Sequence, residues 1–138
     1  IERLVFMKTI KVVAAIIKKD NQILIAQRLK GDFEGLWEFP GGKIEANESS
    51  QEALKREIKE EMELNIEVGK QLIIVHHTYE KFILNMKCFL CSLVDTNIIL
   101  HDHKAIKWIN IDIDIDSIRW VPADIKVMKA IQKEFNHS

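Results

Sequence analysis

No stretch of this chain approaches the roughly 18–20 consecutive apolar residues that a membrane span requires. The N-terminus lacks the basic, apolar and small-residue layout of a signal peptide. No membrane partner is therefore expected. An excess of positive charge is also missing: 20 Lys and Arg stand against 21 Asp and Glu, a formal net charge of −1. Without a global basic field, a stable nucleic-acid partner is not expected either. Cysteine is scarce. Cys88 and Cys91 form one C-x-x-C, and no second pair completes a zinc site. Their neighbours, K-C-F-L-C-S-L, read as a strand, which sends positions three apart to opposite faces. The pair is read as two buried or half-buried thiols in a reducing, cytoplasmic compartment. Internal repeats, low-complexity tracts and linkers are absent, so residues 1–138 are read as a single domain with one core. The chain begins with Ile1; Met7 is a candidate natural start, and residues 1–7 are read as a flexible or appended N-terminus.

What remains is a soluble-protein composition, 47% hydrophobic and 30% charged, ordered into recognisable elements. Residues 8–18 are rich in β-branched side chains and predict a central strand. Asp20-Asn21 marks a turn, and residues 22–28 predict the second strand of a hairpin. A loop with two glycines follows, then E-F-P-G-G-K. A helix is expected to start near Asn47–Ser50, with Ser49 and Glu52 as a capping box. Leu54, Ile58 and Met62 form its buried stripe, and it is expected to end near Leu64-Asn65. Residues 72–79 and 82–94 read as antiparallel strands, and 104–109 as another. The run I-D-I-D-I-D at 111–116 alternates like a strand, but a loop or short turn before the last helix fits equally. Pro122 suits the first turn of that helix, with Ile125, Met128, Ile131 and Phe135 as its apolar stripe. The pattern predicts an α/β (α+β) fold: a mixed β-sheet sandwiched between helices.

The stretch from Gly42 to Leu64 is the most distinctive. It holds seven Glu against three Lys and one Arg. Glu57, Glu60 and Glu61 stand at i, i+3 and i+4, so they share one helix face. A solvated acidic face relieved by Lys55, Arg56 and Lys59 is one reading. The other is a site for hard divalent cations, which prefer oxygen ligands. The upstream Gly-Gly, where bare backbone can approach a ligand, and the following Lys43 favour the second.

In register, Gly42, Glu48, Arg56, Glu57, Ile58, Glu60, Glu61 and Leu64 match the signature of the Nudix hydrolases: eight specified positions over 23 residues. One position departs, with Glu63 where the signature has glycine. E-F-P-G-G-K at 38–43, Arg28, D-H-K-A-I-K-W at 102–108 and W-V-P-A-D at 120–124 resemble the MutT-type branch. The resemblance implies a Nudix fold and hydrolysis of nucleoside triphosphates to a nucleoside monophosphate and pyrophosphate. It implies that Glu57, Glu60 and Glu61 hold Mg²⁺ (or Mn²⁺) with the Gly41 carbonyl, and that Asp102 serves as a further metal or base carboxylate. Arg56 would orient the glutamates and Glu48 would support them. Glu61 or Glu60 would be the general base, taking a proton from the attacking water.

Arg28 and Lys43 are candidate counter-charges for the triphosphate. Asp124 takes the position that resembles a base-reading residue. A carboxylate accepts hydrogen bonds, and cytosine offers an exocyclic donor. CTP, dCTP and 5-substituted cytosines are therefore favoured, with an oxidised guanine as the alternative. A first-turn acid favoured by the helix dipole also explains Asp124. Phe39, Trp37 and Trp120 are candidates for a stacking wall or for core. His76-His77 read as a strand pair with one ring facing out. His101 and His103 read as surface or supporting groups rather than a transition-metal site. Other enzymatic readings are a Nudix hydrolase of another nucleoside diphosphate derivative, including dinucleoside polyphosphates, nucleotide sugars or capped RNA 5′ ends. An inactive nucleotide-sensing module is the non-enzymatic one. The expected oligomeric state is a monomer or homodimer.

Overall fold

The computed structural model describes residues 7–135. The reading of the first residues as a flexible or appended segment thus falls, for residues 1–6, outside the described part. The elements run β1 (Lys8–Lys19), β2 (Gln22–Arg28), β3 (Trp37–Glu38), β4 (Gly41–Lys43), α1 (Ser50–Met62), β5 (Ile66–Thr78), β6 (Phe82–Leu93), β7 (His103–Asn110) and α2 (Pro122–Phe135). A 3₁₀ turn at Ile115–Ser117 precedes α2.

The strands form one mixed sheet in the order β3-β2-β1-β6-β5, with β4 also paired to β1 and β7 to β2. β1 runs parallel to β6, from Lys8↔Phe82 to Ile17↔Cys91. The hairpin of β1 and β2 turns at Asp20, whose φ of 55° is one that Asp tolerates. Its register is Lys18↔Ile23 and Lys19↔Gln22. Farther along, β3 pairs with β2 at Ala26↔Glu38 and β4 pairs with β1 at Ala14↔Gly41. The segment 37–43 therefore crosses from one strand to the other, and Ala15 N–H donates to the Pro40 carbonyl at 2.8 Å midway. Gly41 and Gly42 thus lie in a short strand paired edge to edge with β1. That placement positions the site.

Period-two alternation on β1 divides the core. Val13, Ala15 and Ile17 face a cluster with Ala53, Leu54, Ile58 and Met62 of α1. Ala14 and Ile16 face a cluster with Ala123, Val127, Met128 and Ile131 of α2. The sheet is thus sandwiched between the two helices, as the sequence predicts. Cys88 joins the α2-side cluster and Cys91 the α1-side cluster. Both are free and buried, and burial pushes both thiols up, Cys91 to about 12.

The capping box forms: Glu52 N–H donates to Ser49 Oγ at 3.1 Å and Ser49 N–H to Glu52 Oε1 at 3.2 Å. The helix stops at Met62, earlier than expected. Glu63 takes the left-handed conformation at φ 52°, ψ 32°, the terminating geometry for which glycine is the usual residue. β5 starts at Ile66 rather than at residue 72. Its register shifts between Val68 and Gln71 and again between Gln71 and Ile73, which breaks the alternation that marks a strand. The Ile-Asp run is not a strand. Asp114 accepts from Asp116 N–H at 3.0 Å and starts the 3₁₀ turn, while Ile113 and Ile115 pack on the α2-side core. The buried face of α2 carries Ala123, Asp124, Val127, Met128 and Ile131, with Ile125 and Phe135 only partly buried.

Candidate active site

A cavity of about 510 Å³ opens where β3 and β4 cross the sheet. Of the residues singled out above, Arg28, Phe39, Gly41, Glu61, Asp102 and Asp124 line it. They come from β2, the β3–β4 crossing, α1, the segment before β7, and α2. Lys43, Arg56, Glu57 and Glu60 stand outside its wall.

α1 supplies the carboxylates, and Arg56 holds them. Its Nη2 and Nε donate to Glu48 Oε1 and Oε2 at 2.7 and 3.0 Å, a bidentate pairing. Nη1 donates to Glu57 Oε1 at 3.0 Å and to Glu60 Oε2 at 3.2 Å, and Nη2 also reaches the Lys43 carbonyl at 3.1 Å. One guanidinium thereby ties the start of the signature to its catalytic turns. The hydrogen bonds from Arg56 lower the Glu48 pKa. The Glu57 carboxyl is raised by burial, with Arg56 opposing. It abuts Gly42, where a Cβ would overlap it. At Gly41 a Cβ would overlap the Val13 carbonyl of β1. Each glycine is therefore needed for a different reason, one for a side chain and one for the sheet.

Glu61 is pushed up to about 9, first by burial and then by the like charges of Glu57, Glu38 and Asp102. Its Oε2 is buried and has no hydrogen-bond partner. A crowded, partnerless carboxylate beside a glycine backbone is the donor chemistry that suits a hard divalent cation. Among the described residues the side chains do not converge into a ready cluster of three or more ligands. Glu57 and Glu60 are instead engaged by Arg56. The donor set fits Mg²⁺ in chemical type.

Also in the cavity lining, Asp124 is 3% exposed. Its Oδ1 accepts from the Phe39 backbone N–H at 2.9 Å. Complete burial raises its pKa well above the ordinary value, with the Glu38 charge adding to the effect. Phe39 stacks on Trp120 at 5.5 Å between centroids. Trp120 is core, with Nε1 donating to the Ile115 carbonyl at 3.0 Å, and Trp37 carries Lys107 over its ring at 5.0 Å. Neither tryptophan lines the cavity; Phe33, Tyr79 and Phe82 do. Tyr79 packs on both phenylalanine rings, and its hydroxyl accepts from Ala123 N–H at 3.1 Å. Sequence reasoning missed this aromatic wall, because its members sit in separate loops and strands.

It also missed Glu38, and it read His103 only as a surface or supporting group. Glu38 Oε1 meets Arg28 Nη1 at 3.1 Å, and Oε2 meets His103 Nε2 at 3.0 Å. Both line the cavity. The only signal was that Glu38 belongs to E-F-P-G-G-K. Of the other histidines, His76 is exposed and His77 half-buried, as strand alternation requires. His101 pairs with Glu63 at 2.7 Å on the surface.

The NUDIX domain model matches residues 12–130. The chain is 35% identical to the CTP pyrophosphohydrolase of Escherichia coli (strain K12) over 127 residues, covering 90% of this chain and 92% of that one. It is 39% identical to the 8-oxo-dGTP diphosphatase of Proteus vulgaris over 87 residues, 62% of this chain and 78% of that one. The solution structure of the MutT protein from methicillin-resistant Staphylococcus aureus 252 superposes with a TM-score of 0.72 at 40% identity, covering 94% and 99% of the two chains. A mixed sheet between two helices, with the signature glutamate Glu61 at its cavity, fits a hydrolase acting on acid anhydrides. The chain belongs to the Nudix family and is a hydrolase of the MutT type.

Proposed function

We propose that this chain hydrolyses nucleoside and deoxynucleoside triphosphates to a nucleoside monophosphate and pyrophosphate, with Mg²⁺ (or Mn²⁺) as cofactor, in sanitation of the nucleotide pool. The observation that carries this reading is the layout of the cavity. The glycine backbone and Glu61 line it together with an aromatic wall and a buried carboxyl. A polyphosphate and a base need those two environments on one wall.

Glu57, Glu60, Glu61 and Asp102, with the Gly41 carbonyl, would hold the cation. Bound there, it would neutralise charge on the phosphate oxygens and acidify water. Arg56 keeps the glutamates aligned. Beside a bound cation the raised Glu61 pKa would fall, and the carboxylate so formed would take the proton of the attacking water as the phosphoanhydride bond breaks. Arg28 counters the charge of the phosphates. Lys43, exposed on β4, does so only from outside the cavity wall.

Cytosine nucleotides are the favoured substrates. Asp124 stands in the cavity wall as an acceptor for the cytosine amino group, and the similarity to the Escherichia coli CTP pyrophosphohydrolase spans 90% of this chain. A second reading, 8-oxo-dGTP, has its own support. Burial favours the neutral form of Asp124, which can donate as well as accept, and the Proteus vulgaris relative carries that activity in its name. Pyrophosphate release measured as kcat/KM over CTP, dCTP, 5-methyl-dCTP, dGTP and 8-oxo-dGTP decides between them. The cytosine series should lead. Leadership by 8-oxo-dGTP would install the second reading, and no pyrophosphate from any triphosphate with Mg²⁺ or Mn²⁺ would remove both.

A further inference from the structure

Arg28 does not stand free in the cavity. Its Nη1 meets Glu38 Oε1 at 3.1 Å and its Nε donates to the Asp32 carbonyl at 3.1 Å, while Nη2 has no hydrogen-bond partner among the described residues. Glu38 is held in turn. Its second oxygen takes a hydrogen bond from His103 Nε2 at 3.0 Å. His103 has a side-chain exposure of 4%, so its ring is fixed by packing. Its register places it opposite Arg28, where the β2–β7 ladder shifts by one residue. That irregularity re-aims a side chain at the rim of the sheet.

We propose that His103 and Glu38 are positioning residues that hold the Arg28 guanidinium at the cavity wall, with one edge anchored and Nη2 left for substrate. This rests on the reading of Arg28 as a substrate contact. A carboxylate oxygen only accepts, so Nε2 is the ring nitrogen that donates. Nδ1 is then a buried atom with no hydrogen-bond partner. A folded protein rarely leaves such an atom without a reason. Here the reason is that the ring is oriented for Glu38 rather than for its own two hydrogen bonds. Both oxygens of Glu38 are occupied, and the loop carbonyl of Asp32 fixes the remaining edge of Arg28. The fork geometry of arginine makes this a directional hold, which lysine could not reproduce.

The test uses the full chain with Mg²⁺ and its preferred triphosphate. His103→Ala should raise KM about tenfold with kcat within about threefold, the pattern of lost uniform binding. His103→Gln, whose amide nitrogen reaches the place of Nε2, should bring KM back to within about threefold of wild type. In an Arg28→Ala background, His103→Ala should change KM by less than about twofold, because residues acting through one another are not additive. An undiminished effect in that background, or a loss confined to kcat, would overturn the proposal. Should His103→Ala fail to fold, His103→Asn, whose amide falls short of Glu38, is read in the same way. On the free protein, the Arg28 Nε–H resonance in a ¹⁵N correlation spectrum should move with His103→Ala and return with His103→Gln. If the resonance stays in place, the relay is wrong whatever the kinetics. If wild type turns over no triphosphate, the functional reading fails and this resonance alone decides the relay.

Discussion

Gly41 and Gly42 are adjacent, yet the structure assigns them opposite kinds of constraint, so one methyl group at each should separate chemistry from folding. At Gly42 the three atoms nearest the added Cβ all belong to the Glu57 carboxyl, the far end of a flexible side chain. The backbone need not move. Glu57 must swing away, breaking its 3.0 Å contact with Arg56. The thermodynamic loss is that of one hydrogen bond in a part-buried ion pair whose Arg56 keeps Glu48 and Glu60, about 1 kcal/mol. The kinetic loss is larger, because misplacing a reacting group by about 1 Å can cost on the order of 100-fold. At Gly41 the Cβ meets the Val13 carbonyl and, at 2.9 Å, the Ala14 Cα, both backbone atoms of the central strand. No side-chain rotation relieves that. Overpacking of this kind costs about 1–3 kcal/mol.

The assay is paired: pyrophosphate release for kcat/KM, and thermal unfolding with and without Mg²⁺. Gly42→Ala should melt within a few degrees of wild type, lose about 100-fold in kcat/KM, and lose most of the stabilisation that Mg²⁺ confers through binding the folded state. Gly41→Ala should show a clearly lowered melting temperature. If Gly42→Ala kept activity within about threefold, Glu57 would not be held where the chemistry needs it. If Gly41→Ala melted like wild type, the close approach of β4 to β1 would be wrong.

Other perturbations address separate parts of the site. Asp124→Asn should shift kcat/KM from cytosine toward oxidised guanine, and an unchanged ranking across bases would remove Asp124 as the reader. The same variant has a pH signature. A carboxyl whose folded pKa is raised loses stability as pH climbs from its unfolded value toward its folded one. The amide of the Asp124→Asn variant carries no such loss, so its melting temperature relative to wild type should rise with pH above about 4; a gap that is flat or narrows with pH would refute the burial. Arg56→Lys should lower kcat by about tenfold or more, since a point charge cannot serve Glu48, Glu57 and Glu60 together, and near-wild-type kcat would show that alignment of the glutamates does not depend on the fork. Mg²⁺ and nucleotide should each lower the apparent Kd of the other in calorimetry, because Glu38, Glu61, Asp102 and Asp124 make the cavity wall acidic and leave few cations to receive a triphosphate; binding of each that ignores the other would remove the shared site.

α1 was legible before any coordinates because everything that makes it is local. The capping box spans three residues, the apolar stripe repeats every four, and the charge pattern lies on the adjacent face. β1 and β2 were legible for the same reason, through β-branched runs and a two-residue turn. β5 was read too short because two register shifts scramble its alternation and Gly69-Lys70-Gln71 carries no apolar signal. Glu63 departs from the signature's glycine, and the structure shows it adopting the left-handed cap itself with His101 as a partner. The pairing of Glu38 with His103 was out of reach for a different reason. They are 65 residues apart, and their hydrogen bond exists only because β7 pairs with β2 and β3 pairs with β2 on its other side.

That contrast follows from how the two halves of the task are built. Hydrolysis needs several carboxylates at short, fixed separations, and a single helix delivers them through its own periodicity. One arginine then suffices to align them. The groups that would select a nucleotide come from several elements lining the cavity, and no single element supplies them. Arg28 comes from β2, Phe39 and Glu38 from the crossing segment, His103 from β7 and Asp124 from α2. Glu38 joins the two halves. It holds Arg28 by contact and raises both Glu61 and Asp124 by charge. A substitution at Arg28 or Asp124 can therefore change what is bound while α1 keeps its chemistry. A substitution at Glu38 cannot, because its charge is felt at Glu61 and at Asp124 alike.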